Sequence, residues 1–174
     1  METATTTKWN IDNAHSEVGF KVKHMMISTV KGAFEDFNAF VETESDDFKN
    51  AKFNFTAKID SINTKNKDRD AHLKSEDFFN TAAHPEMKFE SKSFDGDKII
   101  GDLTIKNVTK EIALNTDFNG IAVDPYGQTK AGFEITGKIN RKDFGLTWNA
   151  VTEAGSIVVS DTINLVADFQ FIKQ

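Results

Sequence analysis

The residues best suited to chemistry crowd into one stretch, Asp68-Arg69-Asp70-Ala71-His72-Leu73-Lys74-Ser75-Glu76-Asp77-Phe78-Phe79. A histidine among carboxylates is the donor set of a metal-assisted hydrolase, and a histidine beside one carboxylate is a general acid–base pair. Either site needs further groups that converge on it. The other histidines are His15, His24 and His84. No two stand at helical metal-ligand spacing or close together on one strand face. His15 and His24 fall on opposite parities of a strand, and His84 precedes Pro85 in a turn. Cysteine is absent, which removes disulfides, thiolate metal sites and cysteine nucleophiles together. There is no Gly-x-Ser-x-Gly elbow, and Ser16 beside His15 does not make a triad. The adjacent carboxylates Asp46-Asp47 and Glu76-Asp77 read as solvated surface pairs. Asn107-Val108-Thr109 matches a glycosylation sequon but reads better as a hairpin turn. The expectation is a protein with no cofactor, no metal and no catalytic residue.

The arginines are more telling. Lys and Arg total 21, yet arginine stands only at Arg69 and Arg141. Where lysine is the default cation, an arginine marks a place that needs a planar fork of donors. Asp68 and Asp70 flank the first and Asp143 follows the second. One reading is a pair of structural ion pairs that tie the charged stretch and the segment "INRKDFGLTWN" to the rest of the fold. The other sets both arginines near a mouth, facing a ligand's anionic head group. His24 carries a similar ambiguity. It lies on an oily parity between Val22 and Met26, either as a core histidine held by one hydrogen bond or as a ligand contact.

Behind these residues stand elements with a strong period of two. Val18, Phe20, Val22, His24 and Met26 share one parity while Glu17, Lys21 and Lys23 share the other. The same alternation sets Ala51-Phe53-Phe55-Ala57-Ile59 against Lys52, Asn54, Thr56 and Lys58. It recurs at Met87-Phe89, at Ile112-Leu114-Thr116-Phe118 and at Ile163-Leu165-Ala167-Phe169-Phe171. Turn signals separate the runs at Asp95-Gly96-Asp97, Lys106-Asn107, Asn119-Gly120 and Asp124-Pro125-Tyr126-Gly127. The pattern predicts about eight antiparallel strands in one domain over residues 1–174, closed into a barrel or stacked as two sheets. One helix is expected, from a cap at Thr64 through "KNKDRDAHL", with Ser75 capping a further turn to Phe79. Arg69, His72 and Leu73 share a face of it. This insertion, between the third and fourth strands, suits a lid or plug over a barrel end.

Composition narrows the partners. Phenylalanine occurs 16 times and tyrosine once, so the interior is oily and nearly free of polar handles. A net charge of -6 disfavours a grip on nucleic acid phosphates, and no basic run suggests an anionic membrane surface. No apolar run is long enough for a membrane helix, so stable membrane insertion is not expected. The N-terminal "METATTTK" lacks the basic and apolar regions of a signal peptide. The expected compartment is the cytoplasm, or the periplasm if a leader has been removed.

"WNIDNAHSEVGFKVKHMMISTVKGAFEDF", "SINTKNKDRDAHLKSEDFFNTAAHPEMKFES", "GDLTIKNVTKEIAL" and "INRKDFGLTWN" follow one another in an order and spacing that resembles the YceI-like family. That resemblance implies an extended, lipocalin-like, eight-stranded antiparallel barrel whose lumen binds a polyisoprenoid-type lipid such as an isoprenoid quinone or its precursor. It implies no catalytic residue, and an exported location for many members. Asn107 stands where the family often has glycine, and asparagine tolerates the positive φ of such a turn. On this reading Phe20, Val22, Met26, Phe53, Phe55, Phe89, Phe118, Phe133 and Phe169 line the pocket. His24, Arg69, His72 and Arg141 supply polar contacts near an end. A homodimer is a further expected partner arrangement. Two competing readings stay open: an enzyme using His24, His72 and nearby carboxylates, and a structural or stress-interaction module with a filled core.

Overall fold

The computed structural model describes residues 6–149 and 159–174. Its strands are β1 (Thr7–Ile11), β2 (Glu17–His24), β3 (Ser28–Phe34), β4 (Phe37–Thr43), β5 (Lys52–Lys58), β6 (Ile62–Asn63), β7 (Glu86–Phe94), β8 (Lys98–Ile105), β9 (Val108–Val123), β10 (Thr129–Asn140) and β11 (Val159–Lys173). One helix, α1 (Lys67–Lys74), lies between β6 and β7. All pairings are antiparallel, and β1 pairs with β11 as well as β4, so the sheet closes on itself. The pairs β1/β2, β3/β4 and β5/β6 are each two halves of one kinked strand, so the eleven strands make eight staves in sequence order. The alternation leaves a barrel or two stacked sheets open, and the structure is the eight-stranded barrel, whose closure removes the free edges that two stacked sheets would leave.

The short connections follow their residues. Ile105 pairs with Val108 across a two-residue loop in which Lys106 and Asn107 sit at φ 53° and 62°. That is the left-handed pair a tight hairpin needs, and asparagine accepts it. Asn119-Gly120 is not the turn the sequence suggests. It lies inside β9, where Gly120 pairs with Gly132 and Phe118 with Phe133, leaving Asn119 as the extra residue of a bulge. Gly120, at φ 103°, carries the backbone through it. β2 also stops short of the expected run. It ends at His24, and Met26 falls in the following turn at φ 59°, 67% exposed, instead of pointing inward.

The helix begins later than expected. Asn66, not Thr64, is the N-cap, and its side chain accepts the Arg69 N–H at 3.0 Å. Thr64 is buried and donates its backbone N–H to Asp70 Oδ1 at 2.9 Å, with its hydroxyl on the same oxygen. Ser75 ends the helix, since its backbone N–H and its hydroxyl both donate to the His72 carbonyl. Residues 76–79 form a turn whose Phe78 N–H returns to the Ser75 carbonyl, with no further helix.

The two barrel ends differ. At one, the β4–β5 loop folds Phe48 into the lumen in a left-handed conformation (φ 60°), fully buried. Its ring lies 5.0 Å from Trp9 and 5.1 Å from both Phe118 and Phe133, and the last two stack at 4.9 Å. Phe53 meets Phe94 and Phe133 edge-on. These rings plug that end with hydrocarbon. The insertion carrying α1, the β2–β3 turn and the residues after β10 gather at the other.

An ionic cluster pins the plugged end from outside. Asp12 Oδ2 accepts from Lys130 Nζ at 2.7 Å and pairs with His15 Nδ1 at 2.8 Å, and Lys130 also reaches Asp124 at 3.3 Å. Burial alone would raise the Asp12 carboxyl, but the hydrogen bonds from Lys130 and His15 outweigh it and the pKa is lowered. Lys130 is raised, first by its bond to Asp12. A lowered carboxyl stabilises the fold above its unfolded pKa of about 3.9 and stops doing so as pH falls through the folded value. A raised lysine stabilises it below about 10.4 and stops doing so as pH rises through the folded value. The melting temperature of the protein is therefore expected to fall at both limits. In Lys130→Met both slopes should flatten, which a melting series against pH would read.

Candidate binding lumen

Above the aromatic plug the barrel is hollow. A cavity of about 190 Å³ runs beneath the insertion and is lined almost wholly by apolar atoms. Val18, Phe20 and Val22 face it from β2, Phe53 and Phe55 from β5, Phe89 from β7, and Ile112 and Leu114 from β9. Ile163, Leu165, Ala167 and Phe169 face it from β11, and Leu73, Phe78 and Phe79 close it from the insertion. Phe20, Ile112, Leu114, Ile163 and Leu165 are only partly buried although they point inward, because they border empty space. Strand alternation puts them there, since along these stretches of β2, β9 and β11 every second residue is aliphatic or Phe. The polar residues on the lining are Asn54 and Arg141.

Of the residues expected to bind, Phe20, Val22, Phe53, Phe55, Phe89, Phe169 and Arg141 line this cavity. Phe118 and Phe133 do not. They belong to the plug, because the β9 bulge and the Phe48 loop turn their rings toward the closed end. His24 terminates β2, half-buried, opposite Ser28 and Val159 and off the lining. Met26 is outside on the turn. The insertion's contribution is also redistributed. Leu73, Phe78 and Phe79 cover the cavity while Arg69 and His72 do not reach it. The adjacent phenylalanines after the charged run were the legible signal for that cover, and parity pointed to Ile112, Leu114, Ile163 and Leu165.

Arg69 holds the insertion together instead of an ion pair with Asp68 or Asp70. Its Nε donates to Thr64 Oγ1 at 2.8 Å and its Nη2 to the Thr64 carbonyl at 2.6 Å. Arg69→Lys should cost about 1 kcal/mol of stability, the worth of a lost hydrogen bond. Affinity for an apolar ligand should stay at the wild-type value, and separate urea unfolding and ligand titration would check both. His72 pairs with Asp77 at 2.8 Å and lays its ring edge-on against Trp148 (4.8 Å) and Phe78 (5.1 Å). Its work is to join the insertion to the segment after β10.

Arg141 is 2% exposed. Its Nη1 donates to the carbonyls of Leu146 at 2.6 Å and Trp148 at 2.7 Å. Its Nε donates to Ser160 at 3.0 Å and its Nη2 to Val159 at 3.4 Å. The carboxylate beside it is Asp161 at 3.7 Å, not Asp143. Burial pulls its pKa down and Asp161 opposes that. The local chain is shaped for this fork. Asn140 caps the Lys142 N–H at 3.0 Å, and Gly145 turns back at φ 78°, bringing Leu146 under the guanidinium. Arg141 thereby ties residues 146–148 to the start of β11 at the mouth.

Among the described residues no three of His, Asp and Glu gather into a set that could hold a metal ion. The lining offers shape and apolar surface, with an occupied guanidinium at one end.

The family model for the YceI-like domain matches residues 9–171. A UPF0312 protein of Staphylococcus aureus strain N315 is 40% identical over 166 residues, spanning 95% of this chain and 97% of its own. The solved YCEI protein of Campylobacter jejuni is 37% identical, covers 100% of this chain and 99% of its own, and superposes with a TM-score of 0.73. BcnA of Burkholderia cenocepacia shares the fold at 20% identity, with a TM-score of 0.78 over 92% of this chain and 98% of its own. A polyisoprenoid binding domain from Saccharophagus degradans shares it at 13% identity, with a TM-score of 0.69 over 95% of this chain and 98% of its own.

Proposed function

This chain belongs to the YceI-like domain family, and from that premise we propose that its lumen binds a long-chain isoprenoid-type lipid, as carrier or store. The observation that carries this reading is the hollow half of the barrel, enclosed by aliphatic and phenyl side chains under an apolar cover. A saturated or prenyl chain needs apolar area free of unpaired polar groups, and this lining provides it. The name of the Saccharophagus degradans neighbour, a polyisoprenoid binding domain, supports the same class of ligand.

Magnitudes agree with such a role. Burying a chain carbon gains about 0.8 kcal/mol, so about a dozen carbons give roughly 10 kcal/mol before costs. After several kcal/mol lost on association, micromolar binding remains. Among the described residues the lining is almost wholly aliphatic and phenyl, the surface a hydrocarbon chain packs against. Organic extraction of the purified protein followed by mass spectrometry should find a stoichiometric long-chain isoprenoid. In a titration with a polyprenyl alcohol, Trp148 fluorescence should change as the cover shifts. Protein that is repeatedly empty on extraction and unresponsive to polyprenyl alcohols would overturn the proposal.

A further inference from the structure

We propose that the β2–β3 hairpin is a docking tip for an anionic lipid bilayer, setting the mouth of the lumen against the membrane. The use made of the docking rests on the lipid-binding reading, whereas the docking itself does not. At the tip, Met26 is 67% and Ile27 79% exposed. Met25 and Met26 sit at φ 50° and 59°, where glycine, asparagine or aspartate are the easy residues. An apolar Met-Met-Ile there gives the turn no folding advantage, but it suits a surface that takes hydrocarbon.

Charge supplies the second half of the argument. Lys21 and Lys31 stand directly opposite each other across β2 and β3, with Lys23 beside them, all exposed on the outer face. Like charges so placed repel, and no ion pair involving any of the three occurs among the described residues. Among the described residues, Lys23 donates to Thr29 Oγ1 at 3.1 Å. On the neighbouring stave Asn164 faces Lys21, and Asp161, in the irregular stretch opposite Lys23, is taken up by Arg141 at 3.7 Å and Lys142 at 3.4 Å. Away from the hairpin this end is mixed, with Lys65, Lys67, Lys74 and Lys142 standing among Asp60, Asp68, Asp70, Glu76, Asp77, Asp143 and Asp161. The plugged end carries exposed Glu44, Asp46, Asp47, Asp95 and Asp97, with Lys49 and Lys98 among them. On a protein with net charge -6, the lysine face of this hairpin is thus the part suited to an anionic surface.

The tip also touches the route into the lumen. Val22 lines the cavity just before the turn, and His24 pairs with Val159, another lining residue. Phe79 of the cover packs edge-on against Phe34 of β3, at 6.4 Å. A chain lifted from the bilayer beside the tip meets the insertion that closes the cavity.

Flotation with phosphatidylglycerol-containing vesicles tests this, with pure phosphatidylcholine vesicles as reference. The wild type should float with the anionic vesicles and be released by high salt. Ile27→Asp with Met26→Asp, and separately Lys21→Gln with Lys23→Gln and Lys31→Gln, should each lower the partition coefficient by about tenfold or more. Melting curves establish that both variants fold. Polyprenyl alcohol delivered from detergent micelles should bind all of them equally. A wild type that ignores anionic vesicles, or tip variants that float as it does, overturns the docking. Loss of micelle-delivered binding with flotation intact would instead remove the lumen reading and leave the docking standing.

Discussion

Replacing Arg141 with methionine should lower the unfolding free energy by about 3–5 kcal/mol, a large share of what a domain this size has in reserve. Methionine supplies much of the apolar stem, so the loss comes from the fork. The carbonyls of Leu146, Trp148 and Ser160 would lose this donor, while Val159 keeps the Asn149 side-chain amide at 2.8 Å. Each unsatisfied buried group costs about 1–3 kcal/mol, and partial rearrangement reduces their sum. Arg141→Lys should recover only part of the loss, because an ammonium is a point donor and cannot reach four carbonyls arranged around a plane. Urea unfolding followed by far-UV circular dichroism would measure both. The residues after β10 should also loosen in the methionine variant, seen as faster amide exchange at Leu146 and Val159. A methionine variant as stable as the wild type would mean that water takes over these carbonyls and that the fork is no clamp.

Leu165→Trp should weaken polyprenyl binding by about 15-fold while leaving the fold intact. Leu165 pairs with Phe20 on one side and Gly137 on the other and points into the hollow. Tryptophan adds to leucine only the space that about two chain carbons would otherwise fill, roughly 1.6 kcal/mol at about 0.8 kcal/mol each. Enlarging a side chain in a filled core is destabilising, whereas in a cavity of about 190 Å³ there is room for the ring. Asp168→Trp, on the outer face of the same strand, is the control and should bind as the wild type does. Titration with polyprenyl alcohols of increasing length would show the variant losing the longer ones first. Equal affinity in Leu165→Trp and wild type would place the ligand outside the lumen.

Much of the barrel was legible because alternation is a local property. Phe53, Phe55 and Phe89 declare an inward face by their neighbours alone, and the same holds for Ile163 through Phe171. The hairpin at Lys106-Asn107 was legible for the same reason, since asparagine's tolerance of positive φ belongs to the residue itself. Misreadings arose where a neighbour in space overrode the local pattern. Asn119-Gly120 looks like a turn in one dimension, but β10 continues alongside it and makes it a bulge. Met26 keeps the parity of Val22, yet β3 pairs back at Ser28 and ends the strand at His24. Thr64 has the chemistry of a cap, but Asp70 and Arg69 draw it into the body of the insertion and leave Asn66 to start the helix.

The amino-acid sequence by itself determined the succession of antiparallel strands, the oily character of the interior and the places where a planar fork of donors is needed. These follow from side-chain period, from phenylalanine favoured over tyrosine, and from arginine among lysines, all of which act within a few residues. Only the tertiary structure decided which half of the barrel is solid. Phe118 and Phe133 are indistinguishable from Phe55 or Phe89 in pattern, and become a plug because Phe48 arrives from a distant loop. It also decided that Arg69 and Arg141 grip backbone and hydroxyl oxygens, where their sequence neighbours promised carboxylates. A guanidinium in an apolar barrel takes the acceptors that the chain leaves unpaired around it, and those acceptors exist only once the mouth has closed.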